Sequence, residues 1–224
     1  MHALFFDLDG TLLDTLEDIA RAGNAILDAH GYPTHSLSEY RQLVGNGFSS
    51  LIRHALPHEI SENTPEDVIS SLVLEARRSY KNNLWHSTRP YAGMHDALLT
   101  LSEAGHTLCV LSNKPHELTV PLIKHFFPDV PFDQVIGGRD GFPLKPDPTV
   151  LLNMLHNTRI PAARAMYVGD SNVDIFTARN AGIRSVGVAW GFRGDDELRA
   201  ANADHIITTP DQLAYLIQRN GESE

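Results

Sequence analysis

Short apolar runs rich in β-branched and aromatic residues recur along the chain at Ala3 to Phe6, Thr107 to Leu111, Gln134 to Ile136, Ala165 to Val168, Ser185 to Val188 and His205 to Ile207. Each is brief and unbroken by polar residues at every second place, the pattern of strands buried on both faces. Between the later runs the spacing changes to that of a helix. Val150, Leu151, Met154 and Leu155 share one face, and Ile175, Ala178 and Arg179 lead to Gly182, suited to closing a helix. Alternating strand and helix predicts an α/β fold, a doubly wound parallel sheet of the Rossmann-like kind.

The interval from residue 15 to 88 breaks this alternation, carrying helical periodicity alone. Leu16, Ile19, Ala20, Gly23, Ile26 and Leu27 form one stripe. Ser36 and Glu39 read as a capping box for a helix that stops at Gly45. Thr64-Pro65-Glu66-Asp67 opens another helix, which carries Ile69, Leu72, Val73, Ala76 and Tyr80. The interval far exceeds an ordinary strand-to-helix connection, so it predicts an inserted all-helical cap. Pro90-Tyr91-Ala92-Gly93 marks the return. The expected division is a core of residues 1–14 and 89–224 and a cap of residues 15–88.

Composition narrows the function. The 224 residues hold 18 Lys and Arg against 28 Asp and Glu, a net charge of −10, with 42% hydrophobic residues. That is enough apolar material for a full core. The negative charge, with no basic run longer than Arg77-Arg78, argues against nucleic-acid partners. No apolar stretch approaches the ~18 residues of a membrane span, and no basic targeting segment opens the chain. One cysteine, Cys109, within an apolar run points to a reducing, cytoplasmic setting. The 12 histidines are assigned no ligand role.

Charged residues cluster where the strands end. Asp7-Leu8-Asp9-Gly10-Thr11 directly follows the first run, and in a parallel sheet that end faces the ligand crevice. Two carboxylates so close repel unless a proton or cation lies between them, and a hard divalent ion such as Mg²⁺ prefers such oxygens. Taken alone, the motif also reads as a turn. Gly169-Asp170-Ser171-Asn172-Val173-Asp174 follows another run. Helix capping is its plain reading, but its place at the same sheet edge favours a shared ion. Ser112-Asn113-Lys114-Pro115 offers a hydroxyl and N–H groups at a helix start, suited to phosphate, with Ser112 as a simple N-cap the alternative. Lys145, in Leu144-Lys145-Pro146, offers a cation to a phosphoryl oxygen, with a merely solvated lysine its plain reading.

In their order, Asp-x-Asp-Gly-Thr, Ser-Asn, Lys-Pro and Gly-Asp-x-x-x-Asp, these motifs resemble the haloacid dehalogenase superfamily phosphatases over essentially the whole chain. The resemblance implies that Asp7 is the nucleophile and Asp9 the general acid/base. It further implies Mg²⁺ held by Asp7, the Asp9 carbonyl and Asp170, with Asp174 anchoring the set from behind. Ser112 and Asn113 would bind the phosphoryl group and Lys145 would clamp its charge. Val44-Gly45-Asn46-Gly47-Phe48, Asn113-Lys114-Pro115 and Trp190-Gly191 resemble the phosphoglycolate phosphatase branch. By spacing alone, Gly45 and Gly47 end one helix and begin the next. The implied activity is hydrolysis of a small phosphomonoester, first 2-phosphoglycolate, through an aspartyl phosphate. A sugar phosphomutase, a phosphatase for another small metabolite and a non-catalytic binding protein are the alternatives. Arg41 and Arg53 are the cap cations available to a substrate carboxylate. Neither a membrane nor a nucleic acid is an expected partner, and the oligomeric state is left open.

Overall fold

The computed structural model describes residues 1–221. The chain opens with β1 (Ala3–Phe6) and a two-residue strand, β2 (Leu13–Asp14). Five helices follow, α1 (Leu16–Ala29), α2 (Leu37–Leu43), α3 (Gly47–Ala55), α4 (His58–Asn63) and α5 (Glu66–Asn82). Strand β3 (Arg89–Pro90) then pairs antiparallel with β2, Leu13 opposite Pro90 and Asp14 opposite Arg89. From there helix and strand alternate through α6 (Met94–Glu103), β4 (Thr107–Pro115), α7 (His116–Phe126), β5 (Phe132–Gly138), α8 (Thr149–Thr158) and β6 (Ala165–Gly169). The last elements are α9 (Asn172–Asn180), β7 (Arg184–Val188), α10 (Gly194–Ala200), β8 (His205–Ile207) and α11 (Gln212–Gly221).

All six apolar runs are strands of one sheet in the order β5-β4-β1-β6-β7-β8, every pair parallel. The chain winds outward from β1 in both directions, so the strand order reverses at β1 and a crevice opens above its C-terminal end. Ala3, Leu4, Phe5 and Phe6 are all fully buried, which accounts for an apolar run without alternation. Phe5 packs with Cys109 and Tyr167 against Leu151, Met154 and Ala178 on one face. Leu4 and Phe6 pack with Val110 and Val168 against Leu98, Leu122 and Leu213 on the other. Each such side chain contributes about 2 kcal/mol by its removal from water. Apolar burial therefore fixes the strands and leaves their polar C-terminal ends to chemistry.

The insertion is helical as its periodicity predicts. The stripes of α1 and α5 are buried, from Leu16 to Leu27 and from Ile69 to Tyr80. Ser36 and Glu39 form the capping box, with Ser36 N–H donating to Glu39 Oε2 at 2.7 Å. Gly45 and Gly47, at φ 127° and 83°, make the turn from α2 to α3. Asp18, buried on α1, accepts hydrogen bonds from Thr88 N–H and Thr88 Oγ1, each at 2.8 Å, and from Ser87 N–H. With the β2–β3 pair, this ties the start of the insertion to its end. The largest difference from expectation is in β4, which continues four residues past Leu111, so α7 starts at His116 and Ser112 lies in a strand. Among the described residues no helix is long and apolar enough to cross a membrane.

Candidate active site

Asp7 leaves β1 with its N–H bonded to Val168 O at 2.9 Å, which holds it level with the end of β6. Gly10 then turns the chain back at φ 84°. A Cβ on Gly10 would stand 2.3 Å from Asp170 Oδ2, and one on Gly191 would stand 2.2 Å from Asp170 Cβ. Both positions need glycine because two loops close directly on Asp170. The turn and the carboxylate cluster are thus the same feature.

Asp170 Oδ2 accepts the Phe192 N–H at 2.7 Å. Ser171 caps α9, and Asp174 Oδ2 accepts from Ser171 N–H at 3.0 Å and Ser171 Oγ at 2.7 Å. The capping reading therefore belongs to Ser171, while Asp170 is turned to the crevice. The other oxygen of Asp174 accepts from Lys145 Nζ at 2.7 Å, and the same ammonium lies 2.9 Å from Asp7 Oδ1. Asp7, Asp170 and Asp174 bring carboxylate oxygens within 4.8 Å of one another.

Three buried carboxylates around one buried ammonium would, with all three ionised, leave two negative charges in excess at a place poorly screened by water. Burial pushes Asp7 up to about 6, with Asp174 and Asp9 adding to the rise and Lys145 opposing it. Asp170 is held well above the ordinary carboxylate range by burial, then by Asp174 and Asp7. Burial works against the charge on Lys145, but Asp174 and Asp7 outweigh it and hold the ammonium well above its usual value. A divalent cation matches this surplus and the all-oxygen donor set. Both oxygens of Asp174 accept hydrogen bonds of 3.0 Å or less, whereas Asp170 Oδ1 meets Thr11 Oγ1 only at 3.5 Å, so Asp7 and Asp170 are the carboxylates placed to hold such an ion.

A second lysine completes the floor. Lys114 Nζ lies 2.9 and 3.2 Å from the two oxygens of Asp9, Thr15 Oγ1 donates to Asp9 Oδ1 at 2.7 Å, and the Tyr80 ring covers the ammonium at 4.3 Å. Reading the sequence gave Lys114 no role of its own. The signal was there: had β4 been carried past Leu111, the strand period would have put Ser112 and Lys114 on one face. Ser112 Oγ accepts the Lys114 N–H at 3.3 Å, which leaves its own O–H to donate. The side-chain amide of Asn113 has no free donor, since its Nδ2 donates to Gly45 O and Lys145 O at 3.0 Å each, and its Oδ1 accepts from Lys145 N–H at 2.8 Å. Its side chain fastens the Lys145 loop to β4 and touches the insertion.

Between floor and insertion lies a cavity of about 30 Å³, with Asp7, Asp9 and Lys114 on one side and Val44, Phe48 and Leu51 on the other. Arg193, on the loop before α10, reaches across to donate to Gln42 O at 3.0 Å and Val44 O at 2.8 Å, carbonyls left open where α2 ends. Arg41 is exposed, Arg53 pairs with Glu66 at 2.5 Å, and neither lines the cavity.

Fold and site together are those of a hydrolase acting at the carboxyl edge of a parallel sheet. The family model for haloacid dehalogenase-like hydrolases matches residues 4–188, and the chain belongs to that family. It is a phosphoric monoester hydrolase. The phosphoglycolate phosphatase of Vibrio cholerae is 36% identical over 211 residues, covering 90% of each chain. That of Nitrosospira multiformis is 31% identical, covering 98% of this chain and 97% of the relative. Among solved structures, a predicted phosphoglycolate phosphatase from Haemophilus somnus has a TM-score of 0.88 at 26% identity, covering 96% of this chain and 97% of that one.

Proposed function

We propose that this hydrolase is a Mg²⁺-dependent phosphatase for a small phosphomonoester, 2-phosphoglycolate first, working through an aspartyl phosphate on Asp7. The observation that carries this reading is the pair of carboxylate–lysine contacts, Asp7 with Lys145 and Asp9 with Lys114, whose two carboxylates line one small cavity. Asp7 attacks phosphorus from the strand end, while Lys145 offsets charge on the nucleophile's side. Ser112 donates its hydroxyl to a phosphoryl oxygen, and Asn113 keeps the Lys145 loop in register. Asp9 protonates the leaving oxygen, then takes a proton from the water that cleaves the acyl phosphate. Mg²⁺ held by Asp7, Asp170 and the Asp9 carbonyl would supply positive charge opposite the phosphoryl oxygens.

Residues 15–88 serve as a cap over a core of residues 1–14 and 89–224, and Arg193 and Asn113 hold it down. A cytoplasmic setting suits Cys109, whose thiol is buried and pushed up to about 12 by that burial. The test is a panel of small phosphate esters assayed with Mg²⁺ and with EDTA. The expected result is the highest kcat/KM for 2-phosphoglycolate and loss of turnover in EDTA. Isomerisation of a sugar phosphate without free phosphate, or no turnover of any ester, would overturn the proposal.

A further inference from the structure

The phosphatase reading, on which this inference rests, fixes where the rest of the substrate lies. The leaving group hangs from the oxygen that Asp9 protonates. A charged substituent one carbon from that oxygen therefore falls among the groups that touch Asp9. Lys114 is the cation there, one hydrogen bond from both Asp9 oxygens. Its three N–H donors exceed the two that the Asp9 oxygens accept, and the Tyr80 ring over its far side keeps the ammonium from turning to solvent.

The other cations are excluded by position. Lys145 sits on the nucleophile's side between Asp7 and Asp174. The guanidinium of Arg193 is bonded to the end of α2, and Arg53 to Glu66. The cap contributes Ile19, Val44, Phe48 and Leu51 to the cavity wall, and an anion set against apolar side chains needs a fixed cation to replace its water. We propose that Lys114 is the specificity residue of this site: it binds a carboxylate one carbon from the scissile ester oxygen, and the apolar cap residues reject longer leaving groups. The substrate class is a short phosphorylated hydroxy acid.

The experiment compares 2-phosphoglycolate with ethyl phosphate, in which a methyl group replaces the carboxylate, using the full chain with Mg²⁺. Steady-state kcat and KM are measured for the native protein and for Lys114→Met, Arg41→Ala and Arg53→Ala. Any harm done through Asp9 strikes both esters alike and cancels in the ratio of their kcat/KM values. The expected result is a fall of about 100-fold in that ratio for Lys114→Met, carried mainly by KM for 2-phosphoglycolate, with the ratio unchanged in both arginine variants. Should circular dichroism show Lys114→Met unfolded, Lys114→Gln, which keeps a donor towards Asp9, replaces it with the same expectation. Equal losses on both esters would overturn the proposal and make Lys114 a positioning residue for Asp9. A ratio that falls in Arg41→Ala or Arg53→Ala would instead move recognition to the cap. If the native protein hydrolyses neither ester, the phosphatase reading itself fails.

Discussion

The carboxyl edge of the sheet and the helical insertion face each other across one small cavity and are made of opposite materials. The sheet side presents Asp7, Asp9, Asp170, Ser112 and Lys114, and the insertion presents Ile19, Val44, Phe48 and Leu51. Buried charge is costly unless each group is paired, and the sheet meets that demand with short contacts between elements distant in sequence. Apolar helices need no such partners, and among the described residues the polar contacts that fasten them to the core include Asn113 with Gly45, Arg193 with Gln42 and Val44, and Arg77 with Glu117. The contrast assigns bond chemistry to the sheet and exclusion to the insertion.

The strongest way to break this division is at the nucleophile. Asp7→Asn keeps the shape and removes the attacking oxygen, so kcat should fall by roughly 10⁴-fold or more with the circular dichroism spectrum unchanged. Near-normal turnover would take the chemistry away from β1. Lys145→Met strands two buried carboxylates, Asp7 and Asp174, and should lower the unfolding free energy by about 3 kcal/mol in a urea titration. An unchanged midpoint would show that the pairing does not hold the edge together. Asp170→Ala removes one of the two carboxylates free for an ion, and the Mg²⁺ concentration for half-maximal activity should rise roughly 10- to 100-fold.

The same charge surplus sets a pH dependence. Folded, metal-free protein keeps the Asp7 proton up to about 6, whereas the unfolded chain releases it near the ordinary 3.8. The folded state thus binds more protons at Asp7 across that window, so the contribution of Asp7 to stability declines as pH rises from 3.8 to about 6 and levels off above it. The Tm of EDTA-treated protein should fall over this interval, and less steeply in Asp7→Asn. The smallest effect belongs to the insertion's clasp. Arg193→Ala removes bonds worth about 1 kcal/mol to the closed form and should raise KM several-fold while leaving kcat nearly intact. A KM equal to that of the native protein would show that this contact does not close the cap.

How much could be read from the sequence also divides between the two regions. The sheet was legible because a strand buried on both faces leaves an unbroken apolar run, and β1 and β8 begin and end where the pattern placed them. The motifs after β1 and β6 stood out because charges directly follow such runs. Lys114 escaped because β4 stays extended through polar residues, which an apolar pattern cannot follow. Arg193 and Tyr80 escaped for another reason: their contacts join residues far apart in sequence, Arg193 to Val44 and Tyr80 to Lys114, and no local spacing encodes them. Gly45 and Gly47 are both helix punctuation, as their spacing suggested, and part of the cavity wall.

The central claim is that Asp7 carries the phosphoryl group while Asp9 manages the protons, and trapping the intermediate tests it most directly. Asp9→Asn, mixed with Mg²⁺ and 4-nitrophenyl phosphate, whose leaving group needs no proton, and quenched in acid, should yield a peptide containing Asp7 heavier by one phosphoryl group, because the base needed to activate water is gone. The label should be absent from Asp7→Asn. Phosphate release in the native protein, with no phosphorylated Asp7 in either native or Asp9→Asn protein at any quench time, would contradict the account and point to direct attack by water.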